Sequence, residues 1–300
     1  MTTVYTFIAE EQASPACEWP VSEMCRVLEV SRSGFYDWQA HVPSARELED
    51  RVLAREIELI YECSGRTYGV PRMTHWLRQQ GFEVNPKRVA RIMRELGLEG
   101  ESGRRRVKTT IVDKRATAAS DHVRRDFNPA APNVVWCGDI TYLHTGEGWL
   151  YLATVIDLYS RRVIGWAAAD HMRTELVADA LEMAVATRGG HVAGVVFHSD
   201  RGSVYTSNTF GEVCDSHGVI QSMGATGVCW DNAAAESWFG TMKRELAHRR
   251  RWTTRAEARR DLIRWIEGWF NARRLHSSNN YRSPIEWENL YYRRSDGIAA

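Results

Sequence analysis

At residue 134 the pattern of the chain changes, and this change restricts the possible folds more than any other feature. The stretches "VVWCGDITYLHT", "GWLYLATVIDLYS" and "RRVIGWAAADHM" are rich in β-branched and aromatic residues. "TGEG" joins the first two and Ser160–Arg161–Arg162 joins the last two, so the three runs read as an antiparallel meander. A helical run, "RTELVADALEMAVATRGG", follows. Then come a buried-type strand in "HVAGVVFHSDRG", a short helix in "SNTFGEVCDSHG", a strand in "VIQSMGAT" and a helix through "NAAAESWFGTMKREL". The order is βββαβαβα. Three antiparallel strands followed by strands reached through helices predict an α/β fold, a mixed five-stranded sheet with helices on its faces.

The chain before residue 134 reads as helical. "PVSEMCRVLEVSRSGFYDWQ" suggests a small helix-turn-helix with helices starting near Ser22 and after Ser31. From Ser44, apolar Leu48, Leu53, Ile57 and Ile60 mark an amphipathic helix closed by Gly65. Pro71 opens another helix, and Asn85–Pro86 supplies an N-cap and first-turn proline for the next. In that last helix Val89, Ile92, Met93 and Leu96 form an apolar stripe, while Lys87, Arg88, Arg91 and Arg94 occupy the other side. The split suits a recognition helix in a DNA groove, the alternative being a plain amphipathic helix of a bundle, and the basic stretch that follows favours DNA contact. "GRRRVKTT", with Arg104, Arg105, Arg106 and Lys108, begins a basic linker able to track a phosphate backbone. The expected organisation is a helix-turn-helix-like segment at 1–42, a helical DNA-binding domain at 43–103, a linker at 104–128, a catalytic core at 129–246 and a helical extension at 247–300.

Charge follows the same division. Residues 64–128 carry 15 Lys/Arg against 7 Asp/Glu, a net of +8; residues 129–228 carry 5 against 10, a net of −5; residues 229–300 carry 14 against 9, a net of +5. Basic flanks can hold phosphates and an acidic middle can hold cations. No apolar run approaches the roughly 18 residues of a membrane span, and the opening stretch has no basic-then-apolar secretory pattern. The six cysteines stand singly, with no C-x-x-C pair, which predicts neither a zinc knuckle nor a disulfide framework. A cytoplasmic protein with reduced thiols is expected.

Three acids stand out inside this frame. Asp139 sits within a strand, where aspartate is disfavoured and an unpaired buried carboxylate costs several kcal/mol. A hydrogen bond to a neighbouring loop would account for it as well as a site would. Asp200 follows an apolar strand, a place where acids face sites but also cap turns. Glu236 opens a helix after Ala233–Ala235, with Asp231 or Asn232 as cap, and Lys243 lies two turns on along the same face. Together three carboxylates would form a hard-cation site suited to Mg²⁺ or Mn²⁺. Two such ions about 3.5–4 Å apart can activate a hydroxyl and stabilise the leaving oxygen of a phosphodiester. Lys243 could hold a phosphate. Asp157 reads as a turn acid rather than a fourth ligand, His198 as a structural hydrogen-bonding group and Trp238 as core. Trp230 is open to base stacking, and Arg273, Arg274 and His276 to phosphate contact or a solvated helix end.

The order Asp139, Asp200, Glu236, with 35 residues between the last two and a lysine seven after the glutamate, resembles the DD(35)E signature of retroviral-type integrases and transposases. "WCGDITYL", "VIDLYSRRVIGW", "HSDRGSVYTS", "WDNAAAESWFGTMKREL" and "FNARRLHSSNNYRSPIEWE" look like the second-reading-frame transposase of the insertion-sequence-three family, and the helical half is similar too. The resemblance runs from about residue 20 to 290. It implies a ribonuclease H-like core preceded by an all-α helix-turn-helix region. It also implies a DDE-type polynucleotidyl transferase joining insertion-sequence ends to target DNA through a 3′-hydroxyl, with two Mg²⁺ or Mn²⁺ ions per site. Departures are few: Asn279 stands where the family commonly has an apolar residue, and there is no His/Cys zinc module of the retroviral kind. Family members usually act fused to a first-frame segment bearing a leucine zipper. No heptad run occurs here, so an upstream partner or fusion segment is expected, with homo-oligomers on DNA. Two other readings compete, a DNA-binding regulator with a silent core and a stand-alone nuclease of the same fold, such as a junction resolvase. The intact acids speak against the first and the basic helical half against the second.

Overall fold

The computed structural model describes residues 2–15, 18–101, 129–223 and 233–298. Arg104, Arg105, Arg106, Lys108, Trp230, Asp231 and Asn232 lie outside the described residues. The chain divides into two compact units, residues 1–56 and 57–300.

In the first unit, α1 (Thr2–Ala13), α2 (Val21–Val27) and α3 (Arg32–Gln39) enclose Tyr5, Ile8, Val21, Cys25 and Phe35. The Ser31 hydroxyl caps α3 by accepting the Gly34 N–H at 3.2 Å, as the sequence suggests. Helix α1 has no such signal. It forms because Tyr5 and Ile8 find an apolar partner in Phe35, a tertiary reward that outweighs weak local periodicity. In α4 (Ala45–Cys63), Leu53, Ile57 and Ile60 are buried but Leu48 is half exposed, so the apolar stripe starts one turn later than its spacing predicts.

The second unit takes up the chain within α4, at Ile57, and continues with α5 (Val70–Gln79) and α6 (Pro86–Glu95), separated at Gly81, whose φ of +89° only glycine adopts without strain. The Asn85 side chain accepts the Lys87 N–H at 2.8 Å and fixes the start of α6. Val89, Ile92 and Met93 are buried and Leu96 half-buried.

The mixed sheet comprises β1 (Val135–Thr145), β2 (Gly148–Asp157), β3 (Val163–Ala169), β4 (Val196–Ser199) and β5 (Ile220–Met223), in the order β3-β2-β1-β4-β5. The pairs β1–β2 and β2–β3 are antiparallel, and β1–β4 and β4–β5 are parallel. On one face, α7 (Thr174–Thr187) and α8 (Asn208–Ser216) pack Leu181 and Phe210 against Phe197. On the other, α9 (Ala233–Glu245) and α10 (Arg255–Ile263) pack Trp238, Met242 and Leu262 against Leu150 and Leu152. A π-helical stretch, Arg264–Asn271, continues α10. Helix α11 (Pro284–Ile298) is tied back by Glu288, which accepts from Ser160 at 2.7 Å, Arg162 at 2.8 Å and Arg188 at 3.0 Å. No helix of the described residues is long and apolar enough to cross a membrane.

Candidate active site

Strands β1 and β4 run parallel with Cys137 opposite His198. Asp139 and Asp200 each follow two residues later, so the two acids leave adjacent strands at matching positions. Gly138 makes this possible: a Cβ there would lie 2.2 Å from the Phe197 ring of β4. The alanines of α9 act similarly. Ala235 is fully buried in the same core cluster as Cys137 of β1, which packs the first turn of α9 against that strand. Ala235, Trp238, Phe239 and Met242 make the buried stripe, leaving Glu236 outside the core and exposed.

Asp139 is half-buried and accepts the N–H of Ile140 at 2.8 Å. Burial raises its pKa to about 6, against the Ile140 hydrogen bond; the Asp200 and Glu236 charges push it up further and Lys243 opposes them. The three acids and the lysine therefore share one electrostatic field. Asp200 is exposed, and its Oδ1 accepts the Gly202 N–H at 2.9 Å. Among the described residues no three His, Cys, Asp or Glu groups come together closely enough to hold a metal ion, so the acids are charge neighbours rather than a closed cage. Lys243 lies with its Nζ 5.6 Å from the centre of the Tyr142 ring of β1, a cation–π contact. Tyr205 is buried beside Asp139 and Asp200, and burial foremost, then their charges, hold its phenol well above the usual range. Neither tyrosine stood out in the sequence, since each reads as an ordinary aromatic of a strand or loop.

On α6, Lys87 and Arg94 are exposed, Arg88 is half-buried, and Arg91 donates to Glu95 at 2.9 Å. The phosphate contact considered for Arg274 is corrected. Its guanidinium is buried on Glu245 at 2.6 and 2.8 Å, because an arginine carried into the interior needs a carboxylate there. His276 beside it is held neutral by burial and by Arg274, Arg72 and Arg161. Arg273 remains exposed. Asp157 is a turn acid, accepting the N–H groups of Tyr159 and Ser160 at 3.0 and 3.2 Å. His198 Nδ1 lies 3.1 Å from the Ser222 hydroxyl. Asn279, the departure from the usual apolar residue, is buried and donates to the Ser160 carbonyl at 2.6 Å.

Two models of the Integrase core domain match residues 129–229 and 217–284, and a model of an HTH-like domain matches residues 47–124. Transposase InsF for insertion sequence IS3A of Escherichia coli (strain K12) is 38% identical over 287 residues, which is 95% of this chain and 98% of that protein. The transposase for insertion sequence element IS629 of Shigella sonnei is 36% identical over 290 residues, 94% of this chain and 97% of that one. Among solved structures, the HTLV-2 integrase catalytic core domain in complex with magnesium (dimeric form) shares 16% identity at a TM-score of 0.39, covering 53% of this chain and 98% of that chain. A chain of the simian T-cell lymphotropic virus intasome in complex with PP2A regulatory subunit B56 gamma shares 16% at a TM-score of 0.45, covering 59% of this chain and 60% of that one. With more than a third of residues identical across nearly the full length of its relatives, the chain belongs to the IS3 family of insertion-sequence transposases.

Proposed function

We propose that this transposase cleaves DNA strands and joins 3′-hydroxyl ends to target DNA in a metal-dependent reaction, with Asp139, Asp200 and Glu236 as the acids that hold the metal. The observation that carries the assignment is the shared register of β1 and β4 with the first turn of α9 packed on Cys137, which brings the charges of three acids from three elements to bear on one another. The donor set fits a divalent cation: it offers only hard oxygens, as Mg²⁺ and Mn²⁺ prefer. A cation also reverses the penalty that keeps Asp139 near 6. Two bound ions would supply an activated hydroxyl and stabilise the leaving oxygen. Lys243, on the Glu236 face, places a cation for the phosphate of the strand being cut or joined. Lys87, Arg88, Arg91 and Arg94 on α6, with Arg104, Arg105, Arg106 and Lys108, supply phosphate contacts to insertion-sequence ends, so residues 43–103 serve recognition and 129–246 catalysis. The setting is the bacterial cytoplasm, and the working form is a homo-oligomer on DNA.

Asp139→Asn, Asp200→Asn and Glu236→Gln should each abolish strand cleavage and joining while DNA affinity stays within a few-fold. Retained cleavage in any one of them overturns the assignment. A first-frame segment bearing a zipper completes the reading. Tethering two DNA-binding modules makes the second contact intramolecular, a gain on the order of 10² to 10⁴ in avidity. Strand transfer by the chain alone and by the fusion, at matched concentration and salt, tests this; equal activity refutes the need for the partner.

A further inference from the structure

A groove of about 740 Å³ lies beside Lys243 but away from the three acids. One wall is the tip of the β1–β2 hairpin, where Tyr142, His144 and Trp149 stand out. Tyr142 is 58% exposed and Trp149 47%, high values for large aromatics on a paired strand. They meet edge to face at 5.0 Å, with His144 against Trp149 at 5.4 Å. The opposite wall carries Lys243, His248, Arg250 and Arg251, and among the described residues no carboxylate lines the groove.

The floor is fixed. The Gly146 N–H donates to the Trp252 carbonyl at 2.9 Å, and a Cβ on Gly146 would lie 2.5 Å from the Thr253 carbonyl oxygen. Only glycine lets residues 252–253 dock this closely on the hairpin tip. Trp252 is buried, and its indole donates to Asp261 at 2.9 Å. Exposed aromatic rings opposite a row of cations, in a rigid groove sized for a ligand, make a surface on which bases stack while phosphates are neutralised. A duplex hides its base faces; an unpaired strand presents them.

We propose that this groove binds an unpaired DNA strand, with bases stacked on Trp149 and Tyr142 and phosphates on Lys243, Arg250 and Arg251. The proposal rests on the transposase reading above, because Lys243, which lines the groove, stands two turns along α9 from Glu236. It gives the enzyme a place, set apart from the three acids, to hold frayed or displaced nucleotides.

The test compares the full chain with Trp149→Ala and Trp149→Phe, without divalent metal, on two probes of one sequence. One is a duplex with a single-stranded 3′ overhang and the other is fully paired. Trp149→Ala should weaken overhang binding about five-fold or more, the range for losing one stacked base. Paired-duplex binding should stay within two-fold, and Trp149→Phe should keep most of the affinity. Because Trp149 is half exposed, melting temperatures should remain close to the parent. Arg250→Gln with Arg251→Gln should flatten the salt dependence for the overhang by about one unit for each phosphate that these arginines neutralise. Equal losses on both probes, no loss in Trp149→Ala, or a phenylalanine as damaging as alanine overturns the groove assignment. A parent chain that binds neither probe also overturns the groove assignment, while retained cleavage in the acid variants is the result that overturns the catalytic reading.

Discussion

Asp139 and Asp157 lie on neighbouring strands of one sheet, three residue pairs apart in the β1–β2 register, and burial raises the pKa of both. Their surroundings differ. Asp157 is completely buried and accepts N–H groups from Asn133, Tyr159 and Ser160, with Arg188 at 3.3 Å. Among the described residues Asp139 accepts one N–H, from the residue after it, and feels the charges of two further acids. A carboxylate whose lone pairs are used up by the chain is structural. One left under-coordinated among like charges has free capacity for a ligand. The upward pKa shift does not separate the two cases; hydrogen-bond completeness does.

The largest contrast should come from removing each charge. Asp139→Asn should eliminate strand transfer and leave stability unchanged or higher, since a repelled carboxylate is removed. Asp157→Asn should cost about 1–3 kcal/mol of stability by leaving Arg188 and backbone donors short of an acceptor, with activity falling only as far as the folded fraction does. Denaturant melts beside strand-transfer assays distinguish the two. An Asp139→Asn protein that is both unstable and inactive would erase the comparison.

The second contrast is pH. Asp139 titrates near 6 in the folded chain against an ordinary 3.8, so between about pH 4 and 6 the native state holds more protons than the unfolded one. Its contribution to stability therefore falls as pH rises through that window. Glu288 has the opposite sign: burial pushes its pKa up, but Arg188 and Arg162 together outweigh it and hold the pKa below 4.5, so its contribution is present above that value and is lost as pH falls beneath it. Melts of Asp139→Asn should lack the decline between pH 4 and 6. Asp200→Asn should lower the Asp139 pKa, as followed by carboxylate NMR; an unchanged value would separate the two acids.

A smaller effect is expected at Lys243. Lys243→Gln should raise the Asp139 pKa slightly, weaken DNA binding several-fold and reduce the salt slope by about one unit. The smallest belongs to α6, where Lys87→Gln or Arg94→Gln should each flatten the slope by about one unit with little change in stability. An unchanged slope after replacing all four α6 cations removes that helix from the DNA interface.

Local determinants were legible in the chain itself. Ser31 and Asn85 fix the starts of α3 and α6, Gly65 and Gly81 mark where helices stop, and alternating β and helical runs lay out the five strands in order. Of the three acids proposed for the site, Asp139 marks itself most plainly, because an aspartate inside a strand breaks local preference, whereas Glu236 in the first turn of a helix follows it. Spacing cannot choose partners across long loops. That Arg274 closes on Glu245, that Arg188 and Glu288 complete the surroundings of Asp157 from 31 and 131 residues away, and that Lys243 rests on Tyr142 were decided by packing. So was α1, whose burial against Phe35 has no periodic signature. Propensity and capping act within a turn or two of the chain, so a sequence carries them openly. Pairing of buried charges and rings depends on which surfaces meet, and that is settled only when the sheet and its helices come together.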